Sequence, residues 1–294
     1  MDADAQHTVS CIKLVKKYRN SFQLGPLNVA LRRGKVTGMF GPNGAGKSTL
    51  ISLLLGSSTP TSGTIYYNPS VRSFAGVLEH KNYLPFTTVW EQLDSLRRLL
   101  RVEESTVRHV MAKCGIDKYA DRQVSKLSLG NQQRLSVASA LLQNPEFAVF
   151  DEPLNGLDPH GIDWINQTIR EYVNSGRTVL LATHLLAEAE HIVDDCIFID
   201  QGMVRYFGSV QHALELAANA PNFFYFKKNK SETLGSGGDS SVVWESNTSA
   251  IVHIENESQS AFPAEQLRKL DPSALTLQGA YRILSANSDG SVLV

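Results

Sequence analysis

The stretch Gly41-Pro42-Asn43-Gly44-Ala45-Gly46-Lys47-Ser48-Thr49 decides how the rest of this sequence is interpreted. It matches the phosphate-binding loop pattern G-x-x-x-x-G-K-[ST] at every position. Its glycines let the backbone turn tightly, so that successive N–H groups can converge on phosphate oxygens. Lys47 would bring a positive charge to the β- and γ-phosphates, and the Ser48 hydroxyl suits Mg²⁺. The stretch therefore predicts a nucleoside triphosphate site, with further binding residues at Gly41, Asn43, Gly44, Gly46 and Thr49.

The residues on both sides of this loop are the ones that the motif requires. Val36–Phe40 predicts a short buried strand, and Leu50–Leu55 predicts the apolar start of a helix. The N-terminus of such a helix favours bound anions. A glycine-rich turn that merely joins a strand to a helix is the alternative, and the complete motif in this context disfavours it.

Length, composition and cysteine usage are those of an ordinary globular protein. The chain has 294 residues, of which 42% are hydrophobic and 19% charged, with a formal net charge of −1. This leaves room for one large domain and a smaller one, and it gives no electrostatic footprint for nucleic acid. Cys11, Cys114 and Cys196 form no C-x-x-C pair, which favours a reducing compartment without a disulfide or zinc framework.

The ends and the apolar runs of the sequence predict a cytoplasmic protein. Met1–Ala5 is acidic and differs from the basic and apolar regions of a signal peptide. No apolar run approaches the roughly 18–20 residues that cross a bilayer. We therefore expect that any role at a membrane comes through a partner.

Strand-like and helix-like segments alternate along the first three quarters of the chain. Thr8–Leu14 and Leu27–Leu31 predict strands before the phosphate loop, and Gly63–Tyr67 and Phe74–Leu78 predict strands after its helix. From about residue 86 to 145, apolar residues recur at spacings of three and four. This pattern predicts an all-helical insertion in an otherwise alternating chain.

Tyr18 and Ser128 each allow two interpretations. Tyr18 lies about 25 residues before the phosphate loop, where it could stack on a base or be a half-buried strand residue. Ser128 could cap the helix that follows it, or it could help to bind an anion at that N-terminus. For Ser128 the two interpretations are compatible, because a capped N-terminus still presents N–H groups outward.

Two further apolar runs end in residues that could carry out chemistry. Phe147–Phe150 predicts a buried parallel strand that delivers Asp151 and Glu152 to its carboxyl edge. Asp151 could hold the water shell of a metal ion, and Glu152 could accept a proton from water attacking the γ-phosphate. His184 ends another such run and could reach the same phosphate. Solvated loop acids and a structural histidine are the alternatives, which the upstream phosphate loop disfavours.

From about residue 218 the character of the sequence changes. Phe223–Phe226, Val242–Trp244 and Ala250–Ile254 predict strands, with a loop rich in glycine and serine over residues 227–241. Pro263–Leu270 predicts a short helix with Leu267 and Leu270 facing inward. We therefore expect residues 218–294 to form a small α+β accessory domain.

In order and spacing, these motifs resemble those of the nucleotide-binding subunits of ATP-binding cassette (ABC) transporters, over about residues 8–215. Within that family, the S-L-G variant of the signature resembles the bacitracin-resistance and lantibiotic-immunity group of exporter ATPases. The matching elements are Walker A (Gly41–Thr49), the signature (Leu127–Arg134), Walker B with its catalytic glutamate (Phe147–Glu152), the D-loop (Asn155–Asp158), the switch histidine (His184) and the A-loop aromatic (Tyr18).

The resemblance implies an α/β P-loop NTPase fold for residues 1–217: a RecA-like core, an antiparallel β subdomain and the helical insertion at about 86–145. It also implies ATP and Mg²⁺ as ligands, and a dimer in which Ser128 and Gly130 of one subunit face the nucleotide of the other. Hydrolysis would drive a separate membrane-spanning permease, exporting a peptide, antibiotic or similar compound. The subunit would lie on the inner face of the membrane, held there by the permease.

The sequence departs from the family pattern at several positions. Glu79 stands where the family usually has the Q-loop glutamine, and a carboxylate there could bind the metal but adds an anion beside the triphosphate. Leu129 and Asn131 replace the usual Gly and Gln of the signature. Leu277–Tyr281 is a loose echo of a Leu-Glu-x-x-Phe-like motif found near the end of such subunits.

Three other functions compete with transport. A non-transport ABC ATPase of the translation type usually carries two cassettes, whereas this chain has one. A P-loop kinase or GTPase is disfavoured by the signature, by His184 and by the lack of an N-K-x-D guanine motif. A subunit that only binds ATP is disfavoured by Glu152, although Glu79 leaves some room for it.

Overall fold

The computed structural model describes residues 6–18, 22–78, 83–220, 223–227, 240–245, 249–254, 267–272 and 275–286. The strands in chain order are β1 (His7–Lys17), β2 (Gln23–Arg32), β3 (Val36–Phe40), β4 (Ser62–Tyr67), β5 (Phe74–Val77), β6 (Phe147–Asp151), β7 (Thr178–Thr183), β8 (Asp195–Asp200), β9 (Met203–Ser209), β10 (Phe223–Lys227), β11 (Ser240–Glu245), β12 (Ser249–Ile254) and β13 (Leu267–Lys269). The helices are α1 (Lys47–Leu54), α2 (Val89–Leu100), α3 (Glu104–Cys114), α4 (Leu129–Gln143), α5 (Pro159–Asn174), α6 (Leu186–Ala189), α7 (Val210–Ala218) and α8 (Leu277–Ala286).

A six-stranded sheet in the order β5-β6-β7-β3-β8-β9 forms the centre of the molecule. Its first five strands are parallel, and β9 pairs antiparallel with β8. Every residue of β3, β6 and β7 is buried. Such uninterrupted apolar runs belong to parallel strands that are covered on both faces. The carboxyl ends of β3, β6 and β7 consequently lie side by side at one edge of the sheet.

The two faces of this sheet have separate cores. On one face, α1 and the three-stranded antiparallel sheet β2-β1-β4 pack against side chains such as Met39, Val149 and Leu180. On the other face, the remaining helices pack against Phe40 and Phe150. The antiparallel sheet is the β subdomain expected from the sequence.

The helical insertion consists of α2, α3 and α4, with short 3-10 turns before α4. Thr88 and Glu91 form a reciprocal capping box at the start of α2, which satisfies two backbone N–H groups of the helix end. Val107, Leu135 and Val137 lie in the core of the molecule. These helices confirm the insertion predicted from the spacing of apolar residues, and together with the sheets they confirm the predicted α/β class.

The C-terminal residues form a four-stranded sheet in the order β11-β12-β10-β13, with α8 packed beside it. The prediction of a helix over Pro263–Leu270 is wrong for Leu267–Lys269, which form β13; residues 263–266 lie outside the described residues. β13 pairs with Phe224–Phe226 of β10, so the open edge of a neighbouring strand overrides the local pattern. The helix of this region is α8, which the sequence analysis did not predict.

Cys11, Cys114 and Cys196 are all free and buried. Burial raises the pKa of the Cys11 and Cys114 thiols to about 12, which keeps them protonated. Among the residues that the structure describes, no helix is long and apolar enough to cross a membrane.

Candidate nucleotide site

The phosphate loop joins β3 to α1 and is held in place by tight backbone geometry. Gly46 precedes α1 with φ of 112°, a conformation that side chains rarely adopt. A Cβ at this position would also lie only 2.9 Å from Leu24 Cδ1. The carbonyl of Ala45 accepts a hydrogen bond from the backbone N–H of Gly202 at 2.9 Å. The loop is therefore supported by the turn between β8 and β9.

A cavity of about 450 Å³ opens above this loop and gathers most of the predicted site residues. Because β6 and β3 both end at this edge of the sheet, Asp151 at the end of β6 and Glu152 directly after it reach the loop that follows β3. No side chain of the described residues caps α1, so its first N–H groups face the cavity as in other phosphate sites. The lining includes Asn43, Gly44, Gly46, Lys47, Ser48, Thr49, Asp151 and Glu152.

The Lys47 ammonium lies between the loop and the acids. Its Nζ donates to the carbonyl of Gly41 at 2.6 Å and to that of Pro42 at 3.3 Å. The same atom lies 3.5 Å from Glu152 Oε1, and both side chains are buried. Gly41 itself lies behind the cavity, as a support for Lys47. The Lys47 ammonium is thus paired with groups of the protein, and a bound phosphate would compete with these groups for it.

Glu152 links the phosphate loop to the histidine. Its Oε2 lies 3.0 Å from His184 Nδ1 and accepts a hydrogen bond from the backbone N–H of His184 at 3.3 Å. Glu152 has φ of 49°, in the left-handed region, which costs on the order of 1–3 kcal/mol. Its backbone N–H donates to Ala182 of the neighbouring strand at 2.8 Å, which fixes this geometry. Strand β7 thus places His184 beside the acid that follows β6.

The aromatic wall of the cavity differs from the prediction in one residue. Tyr18 does not line the cavity; it is 45% exposed, and its ring contacts Phe22 with centroids 6.4 Å apart. Phe22 lines the cavity and lies close to Gly46. Sequence reasoning missed Phe22, and the only available signal was a second aromatic four positions after Tyr18.

The signature residues lie apart from this cavity. Ser128 is exposed and caps α4 by accepting a hydrogen bond from the Asn131 N–H at 3.4 Å. Neither Ser128 nor Gly130 lines the cavity of its own chain. Leu129 instead lies over Gly156, where an added Cβ would be 2.3 Å from Leu129 Cδ2. The signature therefore packs on the D-loop of its own chain and presents Ser128 outward.

The donors in the cavity fit a magnesium ion bound together with phosphates. Ser48 and Asp151 offer a hydroxyl and a carboxylate beside the phosphate loop. Mg²⁺ typically uses one or two such protein ligands along with substrate phosphates and water. Among the described residues no cluster of three or more His, Cys, Asp or Glu side chains could hold a metal without such help. Glu79 lies outside the described residues.

These observations define a P-loop nucleotide-binding domain with an antiparallel β subdomain and a helical insertion. The family model described as ABC transporter matches residues 24–155. The lantibiotic transport ATP-binding protein SrtF of Streptococcus pyogenes is 33% identical over 197 residues, which cover 65% of this chain and 86% of that protein. The chain belongs to the ABC transporter family, as an ATP-binding subunit whose ATPase activity is coupled to transport.

Other relatives and a solved structure agree with this assignment. The Nod factor export ATP-binding protein I of Ralstonia nicotianae is 35% identical over 202 residues, covering 64% of this chain and 63% of that protein. The bacitracin transport ATP-binding protein BcrA of Enterococcus faecalis is 30% identical over 200 residues, covering 64% and 65%. A solved ATP-binding subunit of an ABC transporter superposes with a TM-score of 0.64 at 25% identity, covering 71% of this chain and 92% of that one.

Proposed function

We propose that the chain is the ATPase of an exporter for a peptide, antibiotic or similar compound. Two of the relatives described above are named for the transport of lantibiotics and of bacitracin, and a third for export. The observation that carries the catalytic part of the proposal is the position of Glu152. Its carboxylate lies at the end of β6, between Lys47 of the phosphate loop and His184.

In the proposed reaction, water attacks the γ-phosphate, the bond to the leaving ADP oxygen breaks, and Glu152 accepts the proton of the water. Lys47 exchanges its loop carbonyls and Glu152 for the β- and γ-phosphates. This exchange releases Glu152 to face the water. His184, 3.0 Å from Glu152, orients the carboxylate and contacts the γ-phosphate.

The remaining ligand contacts follow from the lining of the cavity. Ser48 and Asp151 would hold Mg²⁺, which neutralises phosphate charge when bound. Backbone N–H groups of Gly44 and Gly46 would bind phosphate oxygens. The adenine base would stack on Phe22, which lines the cavity and whose ring contacts Tyr18 with centroids 6.4 Å apart. Lys16 Nζ lies 5.4 Å from the Tyr18 ring.

We infer that the working unit contains two ATP-binding subunits, identical or different. The inference is supported by Ser128 and Gly130, which the family's composite site needs but which do not line the cavity of their own chain. In a head-to-tail dimer these residues would complete the phosphate shell of the neighbour. ATP would then favour the closed dimer, and release of products would reopen it.

The permease is proposed to dock on the helical insertion. Leu84, Phe86 and Leu99 are 65%, 84% and 79% exposed, although large apolar side chains usually lie in a core or at an interface. In the sequence, Leu84 and Phe86 follow the Q-loop position Glu79 by five and seven residues. Through this partner the subunit would sit on the cytoplasmic face of the membrane.

The partner can be tested with the Glu152→Gln protein, which should bind ATP and keep the dimer closed. We would express it with a tag in its own host, solubilise the membranes in ATP and Mg²⁺, and identify what purifies with it. We expect a polytopic membrane protein in a stable complex. A subunit that returns free of any membrane protein, in both this variant and the wild type, would count against coupling to a permease.

A further inference from the structure

Helix α8 lies in the part of the chain to which the proposed function gives no role, yet it packs into the main core. Leu277, Ala280 and Ile283 are fully buried, in the same cluster as Phe40 and Leu181 of the central sheet. Burial of these apolar side chains stabilises the attachment of the helix to the core. The C-terminal helix is therefore part of the ATPase core.

One direct contact joins α8 to the segment that carries His184. The backbone N–H of Leu277, at the start of α8, donates to Glu190 Oε1 at 2.9 Å. Glu190 is the C-cap of α6, which begins two residues after His184. A carboxylate at a helix N-terminus is stabilised by the unpaired N–H groups there.

A second contact joins α8 to β8, the strand that pairs with β3 just before the phosphate loop. The Tyr281 ring meets Phe198 of β8 edge to face, with centroids 5.2 Å apart. Phe198 pairs in register with Phe40, the residue that precedes Gly41. Between these attachments lies a cleft of about 590 Å³, shared by Gly41, Pro42 and His184 on one side and by residues of α8 on the other.

The segment between His184 and Glu190 depends on such contacts for its geometry. Helix α6 has only four residues, far too few for a helix that is stable by itself. On one side, Asn166 of α5 donates to the carbonyl of Glu188 at 2.9 Å. On the other side, α8 covers Leu186 and Ala189, which are buried in the shared cluster. The position of His184 relative to Glu152 is thus set in part by α8.

We propose that α8 positions the switch histidine through Glu190, so that the C-terminal segment controls the rate of ATP hydrolysis without taking part in ATP binding. The proposal rests on the role given above to His184. Glu190 and Leu277 touch neither the phosphate loop nor its cavity, so they act as positioning residues. A loosened α6 would let His184 drift from Glu152 while leaving the phosphate loop intact.

The test compares Glu190→Ala with Glu190→Gln in the full chain. We expect kcat for ATP hydrolysis to fall about tenfold in Glu190→Ala, because small displacements of positioned groups are costly, while the Kd for ATP stays at its wild-type value. Glu190→Gln retains an oxygen that accepts from Leu277, and it should restore most of the lost rate. Glu188→Ala, on the same helix, is the matched control and should behave like wild type.

Two results would overturn the proposal. One is a wild-type kcat in Glu190→Ala, and the other is a loss of ATP affinity in parallel with the loss of rate, as general unfolding would cause. Circular dichroism of each variant reports whether the fold is retained. His184→Ala, measured alongside, separates the two levels of the argument: if it hydrolyses ATP at the wild-type rate, the proposed role of His184 fails; if only Glu190→Ala is unaffected, the role of α8 fails alone.

Discussion

The central sheet and the helical insertion use large apolar residues in opposite ways. In β3, β6 and β7 every residue is buried, and the residues with proposed roles in catalysis lie at or directly after the ends of these strands. The insertion leaves Phe86 and Leu99 largely exposed to solvent. The difference fits the proposed division of labour, in which the buried sheet would fix the catalytic geometry and the exposed surface of the insertion would meet the permease. Substitutions of the same chemical kind in the two regions should therefore have very different effects.

The strongest contrast is expected between two glutamates. Glu152→Gln removes the proposed base and should lower the rate of ATP hydrolysis by about a thousandfold, as measured by phosphate release. Glu104→Gln, an exposed position on α3 of the insertion, should leave the rate unchanged. ATP binding, followed by calorimetry, should persist in both. Fast hydrolysis by Glu152→Gln would show that Glu152 is not the catalytic base, and the expected difference between the two glutamates would disappear.

Two phenylalanines provide the next contrast. Phe150 is 1% exposed in β6, and Phe150→Ala should lower the free energy of unfolding by about 3–5 kcal/mol, through lost burial and the cavity left behind. Phe86→Ala should change it by less than about 0.5 kcal/mol. Urea unfolding measures both. The same Phe86→Ala protein should recover less permease in the purification described above. Recovery equal to that of the wild type would show that Phe86 is not part of the docking surface.

The smallest effect concerns the opposite end of β6. Glu146 precedes the strand, and its carboxylate accepts backbone hydrogen bonds from Arg72 and then Ser73, which hold its pKa below the usual range. A lowered pKa means that the contribution to stability is present at neutral pH and is lost as pH falls through the folded-state value.

Glu146→Gln should therefore lower the melting temperature by about 1–2 °C at pH 7, because the group is only partly buried and solvent screens its interactions. The difference from wild type should shrink as the pH falls below the ordinary glutamate pKa of 4.5, where the carboxylate of the unfolded chain takes up a proton before that of the folded protein does. Thermal melts across this range are the measurement. A difference that grows toward acid pH would contradict the sign of the pKa shift.

The sequence predicted the strands and helices that depend only on residues close together in the chain. The strand runs before Gly41, Asp151 and His184 are predominantly apolar and fully buried, and this pattern is enough to place their ends at one edge of a parallel sheet. What the sequence could not predict depends on chain segments that meet in space. Phe22 reaches the cavity because β2 returns along β1, and Leu267–Lys269 become a strand because β10 offers an open edge.

Contacts between side chains within the site also depend on segments that meet only in the folded chain. Lys47 and Glu152 are both evident as motif residues, yet their 3.5 Å contact depends on the order of strands in the sheet. Helix α8 is the clearest failure. The sequence of Leu277–Tyr281 indicates only a loose motif and no helix. The burial of this helix depends on a surface formed by α6 and β8, which are distant in the sequence.

The core that α8 shares with the central sheet has a consequence for how such proteins diversify. A tail that stood apart could be exchanged among relatives or lost without cost to the enzyme. In this chain Leu277 and Ile283 lie in the same buried cluster as Leu186. A C-terminal segment taken from another relative would therefore need an apolar face of matching shape. We therefore expect the catalytic body and its C-terminal segment to tolerate exchange between relatives only when both are exchanged together.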